Sequence, residues 1–170
     1  MDPLGRDSYA LCVVPDSLTP AKSPAPAVVL EANAPVAEVM PTRVIAVQPD
    51  ITGTELINVL FERGVSGVPV VDEEARPIGV VSMADIIRWR YEGREEDAPP
   101  VDLEEVSVRE LMTRTPVCIL EGTPIVTAAA LMVSHRVHRL PVVNPQGEVV
   151  GVVGTFDILR WMTRKAGYEK

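Results

Sequence analysis

The stretch PVVDEEARPIGVVSMADIIRW at residues 69–89 decides the fold, because it returns as PVVNPQGEVVGVVGTFDILRW at residues 141–161. The two copies lie 72 positions apart, and residues 36–89 align with 108–161 without a gap. The only two tryptophans of the chain, Trp89 and Trp161, fall at matching positions. Chance does not produce such a match, so the chain contains an internal duplication.

The first copy has the pattern of a small unit with the order strand–helix–strand–strand–helix. A helical turn at 36–40 precedes a strand near 44–47. The helix that follows begins at Asp50 or Thr52, with Glu55 spaced for a capping box, and it ends at Gly64. Strands are predicted at 68–71 and 78–81, and the last helix at 83–91.

The second copy repeats these elements. Thr123 and Pro124 are predicted as the cap and the first-turn proline of its first helix. Gly79 and its equivalent Gly151 are expected to allow a tight turn into the third strand of each copy. A copy of about 54 residues is marginal for an independent core, so the two copies should pack together with pseudo-two-fold symmetry. The predicted class is α/β (α+β).

The copies define the predicted domain organisation. A proline-rich arm at 1–35, with one short extended piece at 28–30, precedes the first copy. The remaining segments are the first copy at 36–91, an acidic linker at 92–107, the second copy at 108–165 and a tail at 166–170. Burial in the arm should be slight, so residues 1–30 are expected to be removable with little loss of stability.

Composition narrows the function classes for this chain of 170 residues. Its net charge is -8, and residues 92–105 hold seven acids and one base, so the acidity lies mainly in the linker. This charge argues against nucleic acid as a partner and against a polybasic membrane patch.

Cys12 and Cys118 have no CxxC spacing, which favours a reducing compartment. No apolar run approaches the roughly 20 residues of a membrane span and no secretory signal is visible, so we expect a cytoplasmic protein without direct membrane insertion.

The repeated pattern V-x-E-[VL]-M, G-V-x-x-[VL]-P-V-V and G-V-V-x-x-x-D-[IL]-[IL]-R resembles a cystathionine-beta-synthase (CBS) domain, here in tandem over residues 36–161 as in a Bateman module. The resemblance implies a regulatory module that binds adenosine nucleotides, such as AMP, ADP or ATP, in clefts between the two repeats. It also implies attachment to, or control of, an enzyme or transporter.

The junction between the third strand and the last helix of each copy is the first candidate site. Backbone N–H groups at a helix N-terminus suit phosphate. The resemblance assigns ribose binding to Asp85 and Asp157, and phosphate contact to Ser82 and Thr155. The competing interpretation is a plain capping box, because Ser82 and Asp85 have that spacing. Gly154 stands where the first copy has Ser82, so residue 154 offers no hydroxyl.

A cationic stretch before the second strand of copy two is the second candidate site. The resemblance assigns phosphate contact to His138 and Arg139, more strongly than to His135 and Arg136. Arginine supports this because its fork of donors fits phosphate. The alternative is a helix end at which cations are solvated and favoured by the dipole. The H-x-x-H spacing lacks a third ligand, so no metal site is predicted.

Segments that lead into the first strands are the remaining candidates. The resemblance assigns adenine contact to Thr42, Val44, Thr115 and Val117, and ordinary strand packing is the alternative. The sequence contains no phosphate-binding loop, no nucleophile–base pair and no GxGxxG after a strand, so neither an enzyme nor a catalytic cofactor is predicted.

The predicted function is a sensor in which an adenine nucleotide acts as a regulatory ligand. Two alternatives remain open at the sequence level. One is a structural dimerisation module without a ligand, and the other is a sensor of an S-adenosylmethionine-type compound. A homodimer is expected, because helix residues such as Trp89 would remain available for a partner copy.

Overall fold

The computed structural model describes residues 33–41, 43–91 and 102–165. Most of the arm, Thr42, most of the acidic linker and the tail therefore lie outside the described residues. The described residues divide into two compact units, one formed by those between 45 and 116 and the other by those of 33–44 and 117–165. Each unit contains one three-stranded sheet.

The first unit is built from the middle of the chain. Helix α1 (Gly53–Arg63) leads to strands β1 (Gly67–Val71) and β2 (Pro77–Ser82), and helix α2 (Met83–Tyr91) follows directly. After a 3-10 turn at Leu103–Glu105 come helix α3 (Val108–Leu111) and strand β3 (Thr113–Arg114). The sheet order is β1–β2–β3, and both pairings are antiparallel.

The second unit has a 3-10 helix at Val36–Glu38 and strand β4 (Ile119–Leu120). Helix α4 (Ile125–His135), strands β5 (Arg139–Val143) and β6 (Val149–Gly154) and helix α5 (Thr155–Lys165) complete it. Strand β4 runs parallel to β5, and β6 runs antiparallel to β5.

The compact units do not coincide with the sequence repeats, because the short helical segments exchange places. Val36 belongs to the second repeat's core, in which Ile119, Leu131 and Leu140 are also buried. Val108 belongs to the first repeat's core, together with Leu56 and Val70. Each repeat thus supplies a segment, 36–44 from the first and 108–116 from the second, that completes the core of the other repeat's sheet.

Backbone hydrogen bonds fix each exchanged segment to the N-terminus of a helix. The Gly53 N–H donates to the Val106 carbonyl at 2.8 Å, and the Ile125 N–H donates to the Ala34 carbonyl at 2.9 Å. These carbonyls satisfy one of the donors that every helix N-terminus leaves without an internal partner. The equivalent hydrogen bond therefore forms in both units.

Several local predictions are confirmed. Thr52 and Glu55 form the capping box, with the Glu55 N–H donating to Thr52 Oγ1 at 3.2 Å and the Thr52 N–H donating to Glu55 Oε2 at 2.8 Å. Gly64 ends α1 in the left-handed conformation with φ 62°. Helix α2 has the predicted limits, β1 begins one residue earlier than predicted, and β2 is one residue longer at each end.

Other local predictions are wrong. The strand predicted at 44–47 is reduced to one parallel bridge between Val47 and Val70. Pro49 lacks the N–H that would continue this ladder beyond Val47. Pro124 is the N-cap of α4 instead of its first helical residue, and no side chain caps that helix, since the Ala34 carbonyl accepts the next N–H.

Gly79 and Gly151 do not form turns, because both lie inside strands. A Cβ at Gly79 would lie 2.6 Å from Sδ of Met112, and a Cβ at Gly151 would likewise collide with Sδ of Met40. Both methionines come from the exchanged segments. The two glycines therefore admit the side chains that hold these segments to the sheets.

Candidate functional site

In the first unit, β2 passes into α2 without a loop, and Asp85 closes the junction. Its Oδ2 accepts the Ser82 N–H at 2.8 Å and the Ser82 Oγ–H at 2.5 Å. The Met83 N–H donates to the Ser66 carbonyl at 3.1 Å, which fixes the start of the helix against the residue before β1. A carboxylate in the first turn is stabilised by the helix dipole. The capping interpretation is therefore realised in this unit.

The other oxygen of Asp85 is also occupied. Arg88 Nη1 lies 3.2 Å from Asp85 Oδ1, at the i,i+3 spacing of a helix. The Asp85 side chain is only 14% exposed, whereas that of Arg88 is 57% exposed. An ionised carboxylate offers about four acceptor positions, and three hydrogen bonds occupy most of them here.

In the second unit, β6 passes into α5 in the same way, but with fewer contacts to the carboxylate. Asp157 Oδ2 accepts the Gly154 N–H at 2.8 Å, and residue 154 has no hydroxyl to add a second bond. The Thr155 N–H donates to the His138 carbonyl at 3.0 Å, and the Thr155 side chain is exposed. The two junctions therefore share their backbone hydrogen bonds, but Asp157 accepts fewer hydrogen bonds than Asp85.

Arg139 adds a cation beside this second carboxylate. It begins β5 and lies opposite Gly154 in the antiparallel register. Burial lowers the pKa of Arg139, and the negative charge of Asp157 offsets part of this effect. At the equivalent pair of the first unit, Gly67 lies opposite Ser82 and brings no charge.

Arg160, the equivalent of Arg88, has a different neighbour. Its guanidinium carbon lies 4.9 Å from the centroid of the Phe156 ring, which is a cation–π arrangement. The first unit has Ala84 at the position of Phe156. Arg88, Phe156 and Arg160 were not predicted as site residues, although their i,i+3 and i,i+4 spacings on the helix follow from the sequence.

The predicted adenine residues are divided between the units. Thr42 lies outside the described residues. Val44 and Val117 fall in the second unit with Asp157, and Val117 packs against the core of that unit. Thr115 falls in the first unit with Asp85, is exposed and has a left-handed backbone with φ 59°. Thr115 follows Arg114, which pairs with Gly79 between β3 and β2. Gly79 precedes Ser82 by three residues on β2.

The cationic stretch occupies the end of α4 and the start of β5. His135, Arg136 and His138 are exposed, and Arg139 is half-buried. Arg136 caps the helix with φ 55°, where the first repeat has Gly64. Within the described ranges no group of three or more His, Cys, Asp or Glu residues is placed to hold a metal ion. None of the helices in these ranges combines the length and apolarity needed to cross a membrane.

A family model for the CBS domain matches residues 36–92 and again residues 108–164. The chain belongs to the CBS domain family. The CBS pair CBSX2 of Arabidopsis thaliana, solved in complex with AMP, has a TM-score of 0.65 and 26% identity, covering 78% of this chain and 98% of that one. The CBS pair of protein MJ0100, solved with 5'-methylthioadenosine and S-adenosylmethionine, has a TM-score of 0.67 and 23% identity over 78% of this chain and 98% of that one.

Two relatives by sequence carry the CBS pair within longer chains. Inosine-5'-monophosphate dehydrogenase of Methanocaldococcus jannaschii is 32% identical over 72% of this chain, which spans 22% of that enzyme. The chloroplastic CBS domain-containing protein CBSX1 of Arabidopsis thaliana is 30% identical over 67% of this chain, which spans 57% of that protein. These matches and the two sheets confirm the predicted tandem α+β repeats.

Proposed function

We propose that this CBS pair is a regulatory module that binds an adenosine compound at its strand-to-helix junctions. The observation that carries the proposal is the second junction, where Asp157, the half-buried Arg139 and the N-terminus of α5 meet. A carboxylate accepts hydrogen bonds from a ribose diol, and a cation beside a helix N-terminus attracts phosphate. The likeness to CBSX2, whose structure contains AMP, supports an adenine nucleotide.

In this proposal Asp85 and Asp157 bind ribose, and His138 and Arg139 contact phosphate, assisted by Thr155. Ser82 is the weaker phosphate candidate, because its hydroxyl proton is directed at Asp85. The adenine contacts assigned to Thr42, Val44, Thr115 and Val117 stay predictions. Ligand occupancy would favour one arrangement of the chain and pass that preference to a partner.

We further infer that the module forms a homodimer through its helices. Exposed apolar residues recur at equivalent positions of the two units. Phe61 in α1 matches Val133 in α4, and Ile87 in α2 matches Leu159 in α5. The tryptophans predicted for this role pack against their own cores instead. Light scattering should give twice 18.4 kDa, with Val133→Glu and Leu159→Glu reducing that mass.

A regulated enzyme is the favoured kind of partner, because the relative from Methanocaldococcus jannaschii is a dehydrogenase with a matching region. The module itself would carry no catalysis, and a cytoplasmic location stays a prediction. An S-adenosylmethionine-type ligand is the second candidate, since a CBS pair of the same fold holds such compounds.

Thermal unfolding with AMP, adenosine and S-adenosylmethionine tests the proposal. Ligand at 100 times its dissociation constant should stabilise the fold by about 2.7 kcal/mol. For a chain of this size the melting temperature should rise by roughly 5–11 °C. The Asp157→Ala change should weaken AMP and adenosine alike, because both contain ribose.

The Arg139→Ala change should weaken AMP more than adenosine, because only the phosphate contact is lost, and this loss should shrink at high salt. Arg76→Ala, which removes an exposed arginine from the turn between β1 and β2, is the matched control and should leave both affinities unchanged. Absence of any shift with all three compounds would leave the dimerisation module as the better function. Equal losses for AMP and adenosine in Arg139→Ala would remove the phosphate role.

A further inference from the structure

We propose that Phe156 is a positioning residue that holds Arg160 away from Asp157 and so keeps this carboxylate available for ribose. In the first unit Ala84 offers no ring, and Arg88 pairs with Asp85 instead. The second junction therefore binds adenosine more tightly than the first. This inference rests on the proposed function and adds that the second of its two sites has the higher affinity for adenosine.

Arg88 and Arg160 have the same sequence spacing to their neighbours on the helix. Each follows its aspartate by three residues and follows residue 84 or 156 by four residues on the same helix. Both spacings bring side chains together on a helix, so a flexible arginine can contact either neighbour. The residue at position i-4 decides between them, because a phenylalanine face attracts the guanidinium and an alanine methyl does not.

The contacts of the two carboxylates differ as this choice requires. Asp85 accepts three hydrogen bonds, one of them from Arg88 at Oδ1, and its side chain is mostly buried. At Asp157, Oδ2 accepts the Gly154 N–H, while the guanidinium carbon of Arg160 lies 4.9 Å from the centroid of the Phe156 ring. A ribose diol must displace Arg88 at the first junction, whereas no such displacement of Arg160 is needed at the second.

The neighbouring cation Arg139 lies on β5 and takes no part in the choice that Arg160 makes between Phe156 and Asp157. Arg139 attracts Asp157 through its charge, but it approaches from β5 and not from the helix. Its role toward phosphate is separate, and uncharged adenosine is therefore the correct probe. The size of the effect follows from an exposed ion pair, which changes an equilibrium by about two- to fivefold.

Two amide groups report the junctions separately. The Ser82 N–H donates to Asp85 and the Gly154 N–H donates to Asp157, so their NMR resonances respond to ligand at each carboxylate. Titration of the full chain with adenosine should give a lower dissociation constant at Gly154 than at Ser82. Phe156→Ala should raise the constant at Gly154 by about two- to fivefold, and Ala84→Phe should lower the constant at Ser82 by a similar factor.

Double variants separate positioning from a structural effect. Adding Arg160→Ala to Phe156→Ala should restore tight binding, because the displaced arginine is then gone. Adding Ala84→Phe to Arg88→Ala should change nothing further. Phe156→Tyr, which keeps an aromatic face, is the matched control and should bind as the unchanged chain does. Light scattering on the same samples excludes a change of assembly, since Phe156 is 66% exposed.

The outcomes distinguish the two proposals. If adenosine moves both amides but Phe156→Ala leaves the constant at Gly154 unchanged, or Arg160→Ala fails to restore it, the positioning role is overturned and the proposed function stands. If no adenosine compound moves either amide, the proposed function fails and the positioning role fails with it.

Discussion

Arg139 and Gly154 lie directly opposite each other in the antiparallel pairing of β5 and β6, whereas the first unit has Gly67 opposite Ser82 at the same place. A Cβ at Gly67 would lie 2.8 Å from the Cβ of Ser82, far inside the roughly 4.5–5.5 Å of ordinary cross-strand pairs. A glycine stands on one side of the pair in each unit. In the second unit, however, a Cβ at Gly154 would meet no atom of Arg139 within 4 Å, so close packing requires the glycine of the first pair and not that of the second.

The first prediction compares the two glycines of these pairs. Gly67→Ala should lower the free energy of unfolding by about 1–3 kcal/mol, because its Cβ would also meet the Val81 carbonyl at 2.8 Å. Gly154→Ala should change it by less than about 1 kcal/mol, since its nearest neighbour is Asp157 Oδ2 at 3.3 Å, the end of a side chain. Urea unfolding measures both. Equal costs would show that close packing does not determine these positions.

The second prediction concerns the contact between Gly79 and Met112. Gly79→Ala should destabilise the fold by about 1–3 kcal/mol, because the new methyl group overlaps the methionine sulfur and approaches the Thr113 carbonyl to 3.1 Å. In the background of Met112→Ala the same change should cost less, with a coupling above about 0.5 kcal/mol. Additive losses in the double-mutant cycle would contradict the contact.

The exchange of short helices was not predictable from the sequence, and the reason is the repeat itself. Met40 and Met112 are equivalent, and so are Gly79 and Gly151. Packing within a repeat or across repeats therefore pairs the same residue types, and only the fold shows which methionine meets which glycine. The two ends of α1 were predicted correctly, because Thr52, Glu55 and Gly64 cap the helix through contacts with residues close to them in the chain.

The candidate site was predictable in part for a similar reason. The place of Asp85 and Asp157 at the strand-to-helix junctions was predictable because a repeated motif marks them, while their role toward ribose stays a prediction. The partners of these carboxylates do not follow from the motif. Whether Arg88 or Arg160 pairs with its aspartate depends on the residue one turn earlier, a position at which the two repeats of this chain differ.

The third prediction uses the ends of the two equivalent helices. Arg136 caps α4 with φ 55°, a conformation that costs a residue with a Cβ about 1–2 kcal/mol. Arg136→Gly should therefore stabilise the fold by about 0.5–1 kcal/mol after the extra freedom of glycine in the unfolded chain is included. Gly64→Ala should destabilise it by about 0.5–1 kcal/mol after the same correction for the unfolded chain, although nothing lies within 4 Å of the new methyl group. A less stable Arg136→Gly would mean that the arginine side chain contributes contacts that outweigh its backbone strain.

The last prediction concerns acid stability and Glu110. The Ser107 N–H and Oγ–H donate to Glu110 Oε2 at 2.9 and 2.8 Å, and these bonds hold the pKa of Glu110 below its ordinary value. Because the folded pKa is the lower one, the contribution is fully present above the unfolded pKa and is lost as the pH falls through the folded pKa. Glu110→Gln should thus lower the melting temperature near neutral pH, and the difference from the unchanged chain should shrink as the pH falls through that window. Glu104→Gln removes one charge from a carboxylate without a hydrogen bond among the described residues, and it serves as the control. A difference between Glu110→Gln and the unchanged chain that stays constant across the acid range would show that the Ser107 bonds do not favour the ionised carboxylate.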